Sequence, residues 1–238
     1  MKRLLCGVAV WTLLVGLTGL AKAQYTFTTI DVPGRFRTIP HGINDAGQIV
    51  GEYIGHGLLL DVDGSYTTFD VPGARATFAF GINDAGQIVG TYADDGGYHG
   101  FLLQVDGSYT TIDPPGAPGP WLTGINASGQ IVGWYSGQNE YRHGFLLDVD
   151  GSYTTIDVPG EFETLARGIN ASGQIVGNYT DDRDHGFLLD VDGSYTTVNF
   201  PSARWTEAAG INNSGQIVGS YYDYDAGAWH AFLATPGG

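Results

Sequence analysis

Six histidines and several aspartate pairs are the residues in this chain whose types could do chemistry. Five of the histidines, His56, His99, His143, His185 and His230, recur at one position of a repeat. Imidazole nitrogens bind zinc when two or three converge, and one histidine per repeat keeps them apart. A structural hydrogen-bonding role is expected for these five, with no metal site. His41 stands outside the pattern, in a slot that Phe80, Thr123, Arg167 and Ala209 occupy in the other copies. His41 and Arg167 are pocket candidates. Asp61-Val62-Asp63-Gly64, Asp148 with Asp150, and Asp190 with Asp192 are spaced like part of a calcium loop. A full loop needs more oxygen ligands at fixed spacing, and Gln104 replaces the first aspartate in one copy. Hairpin turns are the expectation, and no cofactor is called for. Glycoside hydrolysis would need two carboxylates about 5–10 Å apart. Glu52, Glu163 and Glu207 lie near inner strand ends without evident pairing, so no catalytic residue is assigned.

The remaining candidates are aromatic and polar residues in segments that differ from copy to copy. They are Arg37, Trp121, Trp205 and Glu207 in one set of loops, and Tyr141, Arg142 and Tyr224 in another, with Trp229 opening the last histidine segment. Flat aromatics beside carboxylates, amides and arginine suit sugar rings, which offer an apolar face and hydroxyls. Three Asn-x-Ser glycosylation triplets, at Asn126, Asn170 and Asn212, fall on one repeated turn that explains them by itself.

What must position these residues is a fivefold repeat. Gly-Ile-Asn begins at Gly42, Gly81, Gly124, Gly168 and Gly210, and Gly-Gln-Ile-Val-Gly follows each time from Gly47, Gly86, Gly129, Gly173 and Gly215. A tyrosine comes next, then the histidine leading an apolar run, then Asp-Gly-Ser-Tyr-Thr-Thr in most copies. Each unit reads as four short strands with glycine in the tight turns and no helical periodicity. Four-stranded units of about 40–45 residues are the length of propeller blades. Strands such as Gln-Ile-Val-Gly and Gly-Phe-Leu-Leu are apolar on both faces, as expected where neighbouring blades cover both. The recurrent glycines of strands one and two predict close approach of sheets near the axis. The expected fold is all-β: a five-bladed β-propeller of four-stranded antiparallel blades. Residues 25–31 read as a fourth strand and the chain ends on a third, so pairing of the N-terminal with the C-terminal strand is expected to close the ring.

Residues 1–23 have a basic start, an apolar stretch and Ala21-Lys22-Ala23, the pattern of a secretory signal peptide. Residues 24–238 then form one domain, expected to be extracellular or periplasmic, with no membrane insertion once the leader is cleaved. Without the leader the chain has no cysteine and no lysine, and its seven arginines against 25 acids give a net charge of −18. It has no disulfide framework, and its charge disfavours nucleic acid. A monomer is expected.

Gly-Ile-Asn-Asp-Ala-Gly-Gln-Ile-Val-Gly (81–90) and His-Ala-Phe-Leu (230–233) resemble the HAF family of bacterial extracellular repeats, across essentially the whole of 24–238. Three of the other copies read His-Gly-Phe and one His-Gly-Leu. The resemblance implies bacterial secretion and adds no catalytic residue. The function expected is a non-catalytic binding module for a glycan, acting through the variable loops. The competing expectations are a structural or protein-binding scaffold at the cell surface and, behind both, a glycoside-active enzyme.

Overall fold

A computed structural model of the chain describes residues 29–30, 32, 37–137 and 141–236. The expected leader and most of the expected closing strand, 25–31, lie outside the described residues. Blade 1 is β1 (Thr38–Ile43), β2 (Ile49–Tyr53), β3 (His56–Leu60) and β4 (Tyr66–Phe69). Blade 2 is β5 (Ala76–Ile82), β6 (Ile88–Ala93), β7 (Tyr98–Leu103) and β8 (Tyr109–Ile112). Blade 3 is β9 (Trp121–Ile125), β10 (Ile131–Ser136), β11 (Arg142–Leu147) and β12 (Tyr153–Ile156). Blade 4 is β13 (Glu163–Ile169), β14 (Ile175–Thr180), β15 (Asp184–Leu189) and β16 (Tyr195–Val198). Blade 5 is β17 (Trp205–Ile211), β18 (Ile217–Asp223) and β19 (Ala228–Ala234). Every sheet is an antiparallel meander in chain order, four strands in blades 1–4 and three described strands in blade 5. The first strands of all five blades line one central channel. The protein is an all-β five-bladed propeller.

The repeat phrases each do a definable job. The asparagine of Gly-Ile-Asn accepts, through Oδ1, a hydrogen bond from the amide four residues on, as Gln87 N donates to Asn83 at 3.0 Å. Its Nδ2 donates to the next blade's asparagine carbonyl: Asn44 to Asn83 at 3.2 Å, Asn83 to Asn126 at 3.1 Å, Asn126 to Asn170 and Asn170 to Asn212 at 3.2 Å. Buried amides satisfied this way fix the angular register between blades. The valine of Gln-Ile-Val is fully buried in blades 1–4. The turn aspartates cap their own hairpins: Asp63 accepts from Ser65 N at 2.8 Å, and Asp106 from Ser108 N at 2.9 Å. The Ser108 hydroxyl and amide hold the Asp106 carboxyl below the usual aspartate value.

The glycines divide into two roles where the sequence predicts one. Gly81 of strand one lies against the next blade: a Cβ there would sit 3.3 Å from the Cα of Gly124. The strand-two glycines face inward within their own sheet instead. A Cβ on Gly90 would meet the Phe78 carbonyl oxygen of β5 and lie 2.8 Å from the ring of Phe101. The cause is a β-bulge: strand one skips a partner between Ala79 and Gly81 and between the equivalent residues of every blade. A bulge sharpens the local bend and re-aims one side chain. The residue it leaves unpaired is His41, Phe80, Thr123, Arg167 or Ala209, and all five line the channel.

The histidines of blades 1–4 each meet a residue of their own blade, fourteen positions on. Among the described residues no group of three or more His, Cys, Asp or Glu could hold a metal ion. His56, His99 and His143 set Nδ1 against Asp70, Asp113 and Asp157, each just past strand four, at 2.8–3.0 Å. A carboxylate only accepts, so Nδ1 carries the proton. In blade 4 the partner is Asn199, whose Nδ2 lies 2.7 Å from His185 Nδ1. The tyrosine of strand two packs on each imidazole, with centroids 5.0–6.5 Å apart.

Blades 5 and 1 present unlike surfaces from the rest. Val218 is 50% exposed where its four counterparts are fully buried, Leu233 is 61% exposed, and Ile43 on the other side is 66% exposed. Asn212 Nδ2 donates to its own Gln216, and among the described residues no bond carries the asparagine ladder on to Asn44.

Candidate functional site

The loops that differ between blades, two-to-three and four-to-one, surround one end of the channel. Where they meet between blades 2 and 3 they border a groove of about 880 Å³. Its floor is set by strand register. Trp121 of β9 pairs directly with Trp134 of β10, so the two side chains leave the same face of the sheet. Their rings lie parallel, 5.6 Å between centroids with 4° between planes. Tyr98, at the start of β7 in blade 2, stands 5.7 Å from Trp121. Phe80 and Phe78 back the same indole at 5.6 and 6.5 Å. The Arg142 guanidinium sits 5.4 Å from the Trp134 ring and 4.0 Å from Glu163. Asp113 and His99 form a hydrogen-bonded pair on the far wall, and the proline-rich loop 114–119 completes the groove.

The channel mouth is chemically divided. On one side is Phe80, whose ring packs on Trp121 of the groove 5.6 Å away. On the other, Arg167 donates from Nε to Asn178 Oδ1 at 2.6 Å and faces Glu207 at 3.8 Å. His41 packs edge-on against Phe80, 5.0 Å away. Partial loss of water there lowers the His41 pKa below the ordinary histidine value, while the Glu52 carboxylate pulls it back up. The folded chain therefore binds this proton more weakly than the unfolded chain. His41 costs stability as pH falls through the ordinary histidine value of about 6.5, and the loss levels off below the folded value. Titration of its ring protons by NMR is expected to show a midpoint below 6.5, shifted lower again in Glu52→Gln. A midpoint that rises in that variant would exclude the assigned pairing.

Eight of the ten sequence-based candidates fall into three places. Trp121 and Arg142 meet in the groove. His41, Arg167 and Glu207 gather at the channel. Trp205, Tyr224 and Trp229 cluster on blade 5, around Tyr222. Tyr141 packs beside Phe162 at 5.9 Å, and Arg37 is exposed ahead of β1. Glu52, Glu163 and Glu207 lie on three different blades, next to His41, Arg142 and Arg167 respectively.

Trp134, Tyr98, Phe78 and Phe80 were not singled out by sequence reading. A position-by-position comparison of the repeats carries the signal. Trp134 stands between the glycine and tyrosine of strand two, where the other blades have Glu52, Thr91, Asn178 and Ser220. Tyr98 precedes its histidine where blade 3 has Arg142 and blade 4 has Asp184.

No family model matches the chain, and no curated protein matches it. Solved structures do. A protein described as TolB from Agrobacterium tumefaciens superposes with a TM-score of 0.68 at 15% identity, over 89% of this chain and 85% of that one. Virginiamycin B lyase from Staphylococcus aureus gives 0.51 at 14% identity, over 81% of this chain and 69% of that one. TolB from Acinetobacter baumannii gives 0.55 at 12%, over 82% and 53% respectively. At these identities the likeness is one of fold, and an enzyme stands among the neighbours beside proteins named for no activity.

Proposed function

We propose that the protein is a secreted, non-catalytic binding module for glycans, and that the groove between blades 2 and 3 holds the saccharide. The observation that carries this reading is the parallel Trp121–Trp134 pair, open to the groove and bordered by Arg142, Asp113 and His99. Stacked indoles give a sugar ring a flat apolar support, and the polar groups at their edge supply directional hydrogen bonds. The net charge of −18 repels polyanions and leaves uncharged glycans as the compatible class. The leader-like residues 1–23 and the HAF-type repeat support export from a bacterial cell. A glycan array probed with residues 24–238, beside a Trp121→Ala variant, tests the reading. Selective retention strongly weakened in the variant is the expected result. Retention of no glycan by the unaltered protein would overturn the function, and retention indifferent to Trp121 would overturn the site.

We further propose that the ring closes through residues 25–31, which repeat the fourth-strand phrase: pairing with β19, which has no fourth partner among the described residues, would cover Val218 and Leu233. Deleting residues 24–32 is expected to cost at least about 2 kcal/mol, lowering the melting temperature by about 4–8 °C. A deletion that melts with the full domain would exclude closure.

A further inference from the structure

Blade 5 carries a second assembly of rings on the variable-loop side, outside the groove. Trp205 opens β17, Tyr222 pairs with it across β18, Trp229 pairs with Tyr222 from β19, and Tyr224 lies in the loop between. Tyr222 stands 5.4 Å from Trp205, 5.6 Å from Trp229 and 5.1 Å from Tyr224, and Tyr224 stands 5.2 Å from Trp205. The Arg204 guanidinium sits 5.8 Å from the Trp205 ring. Tyr224 and Trp229 are about half exposed, an unusual cost for four contiguous rings on a protein of this charge. Asp223 is occupied in turning the loop: it accepts from Asp225 N at 2.8 Å and Ala226 N at 3.1 Å. The loop is thereby fixed in a shape that holds Tyr224 over Trp205.

The kinds of part resemble those of the groove, with the strand-one indole and the strand-two ring opposite it set two residues nearer the loops: Trp205 pairs with Tyr222, whereas the counterparts of Trp121 and Trp134 are Glu207 and Ser220. Trp229 occupies the position of Tyr98 and Arg142, and those two remain about half exposed with a following blade packed beside them. Docking of blade 1 against blade 5 therefore leaves this patch accessible.

We propose that Trp205, Tyr222, Tyr224 and Trp229 form a second saccharide subsite, and that the chain is bivalent for an uncharged polysaccharide. This rests on the glycan reading of the groove. The occupant is fixed by charge and shape. Among the described residues Arg204 is the one arginine against these rings, and the loop that carries Tyr224 also carries Asp223 and Asp225, so the patch disfavours anions. Its flat rings match pyranoses whose substituents are all equatorial and whose C–H faces are bare. Two subsites on one rigid face bind successive stretches of one polymer, so the second contact forms at high effective concentration.

Calorimetric titration with cellohexaose and with chitohexaose, two uncharged β-linked oligosaccharides with such faces, tests the proposal. Two equivalents per chain of at least one probe are expected. One equivalent should survive in Trp121→Ala and one in Tyr224→Ala, an exposed loop substitution that leaves the blade core intact. None should remain when both are changed. On the corresponding immobilised polysaccharide, either single variant should bind about 100-fold more weakly, the loss of avidity. One equivalent that Trp121→Ala abolishes would overturn the second subsite and leave the groove standing. Binding of neither probe would overturn this proposal, while retention of another glycan on the array would still uphold the first.

Discussion

Gly90→Ala is expected to destabilise the protein by about 3 kcal/mol or more, lowering its melting temperature by about 6–12 °C. The added methyl has nowhere to go. It would overlap the Phe78 carbonyl oxygen and lie 2.8 Å from the ring of the fully buried Phe101. The carbonyl belongs to the bulged strand one, so it moves only if the β5–β6 ladder opens. The ring is packed in the blade core, where density is crystalline and extra volume is felt as strain. Gly64→Ala is the control. Gly64 sits in a hairpin turn at φ +81° with nothing within 4 Å of its added Cβ. The backbone preference alone costs about 1 kcal/mol there. Chemical and thermal melts of the two variants separate packing from turn conformation. Equal, small losses would mean that the bulge does not bring strand one over Gly90.

Trp121→Ala is expected to weaken glycan binding by about 30-fold or more, the effect of losing a central aromatic contact worth about 2 kcal/mol. The indole is the hub of its cluster: Trp134, Tyr98, Phe80 and Phe78 all pack on it. Its removal takes away the stacking surface and frees Trp134 to tilt under Arg142. Trp121→Phe keeps a ring on the platform and should recover most of the affinity. Unchanged melting behaviour of the phenylalanine variant, with binding between that of the alanine variant and the parent, would assign the loss to the sugar contact. Full affinity in the alanine variant would remove the groove as the binding site.

The sequence by itself determined the fold and the faces. Five copies of Gly-Ile-Asn and of Gly-Gln-Ile-Val-Gly specify strands, turns and blade length, because each is a local rule: alternation, a glycine where φ is positive, a carboxylate capping its own turn. It also marked which loops vary, and with them Trp121, Arg142, Trp205, Tyr224 and Trp229. The sequence also placed one histidine at the same position of every blade, while the Asp or Asn that each meets in blades 1–4 emerged only from strand pairing.

The tertiary structure decided what those residues touch. The bulge that turns His41, Phe80, Thr123, Arg167 and Ala209 into the channel is a missing partner in a ladder, and neither strand alone records it. Arg167 meets Glu207, and Tyr98 meets Trp121, across blade boundaries some forty or twenty residues apart, set by the angle between sheets. The asparagine ladder likewise joins successive Gly-Ile-Asn turns from blade 1 to blade 5 by bonds that no single repeat contains. A repeat writes the same local instruction five times. The differences between copies acquire meaning only when the ring brings unlike blades side by side, because contact distance between neighbouring sheets, unlike strand propensity, is a property of the whole assembly.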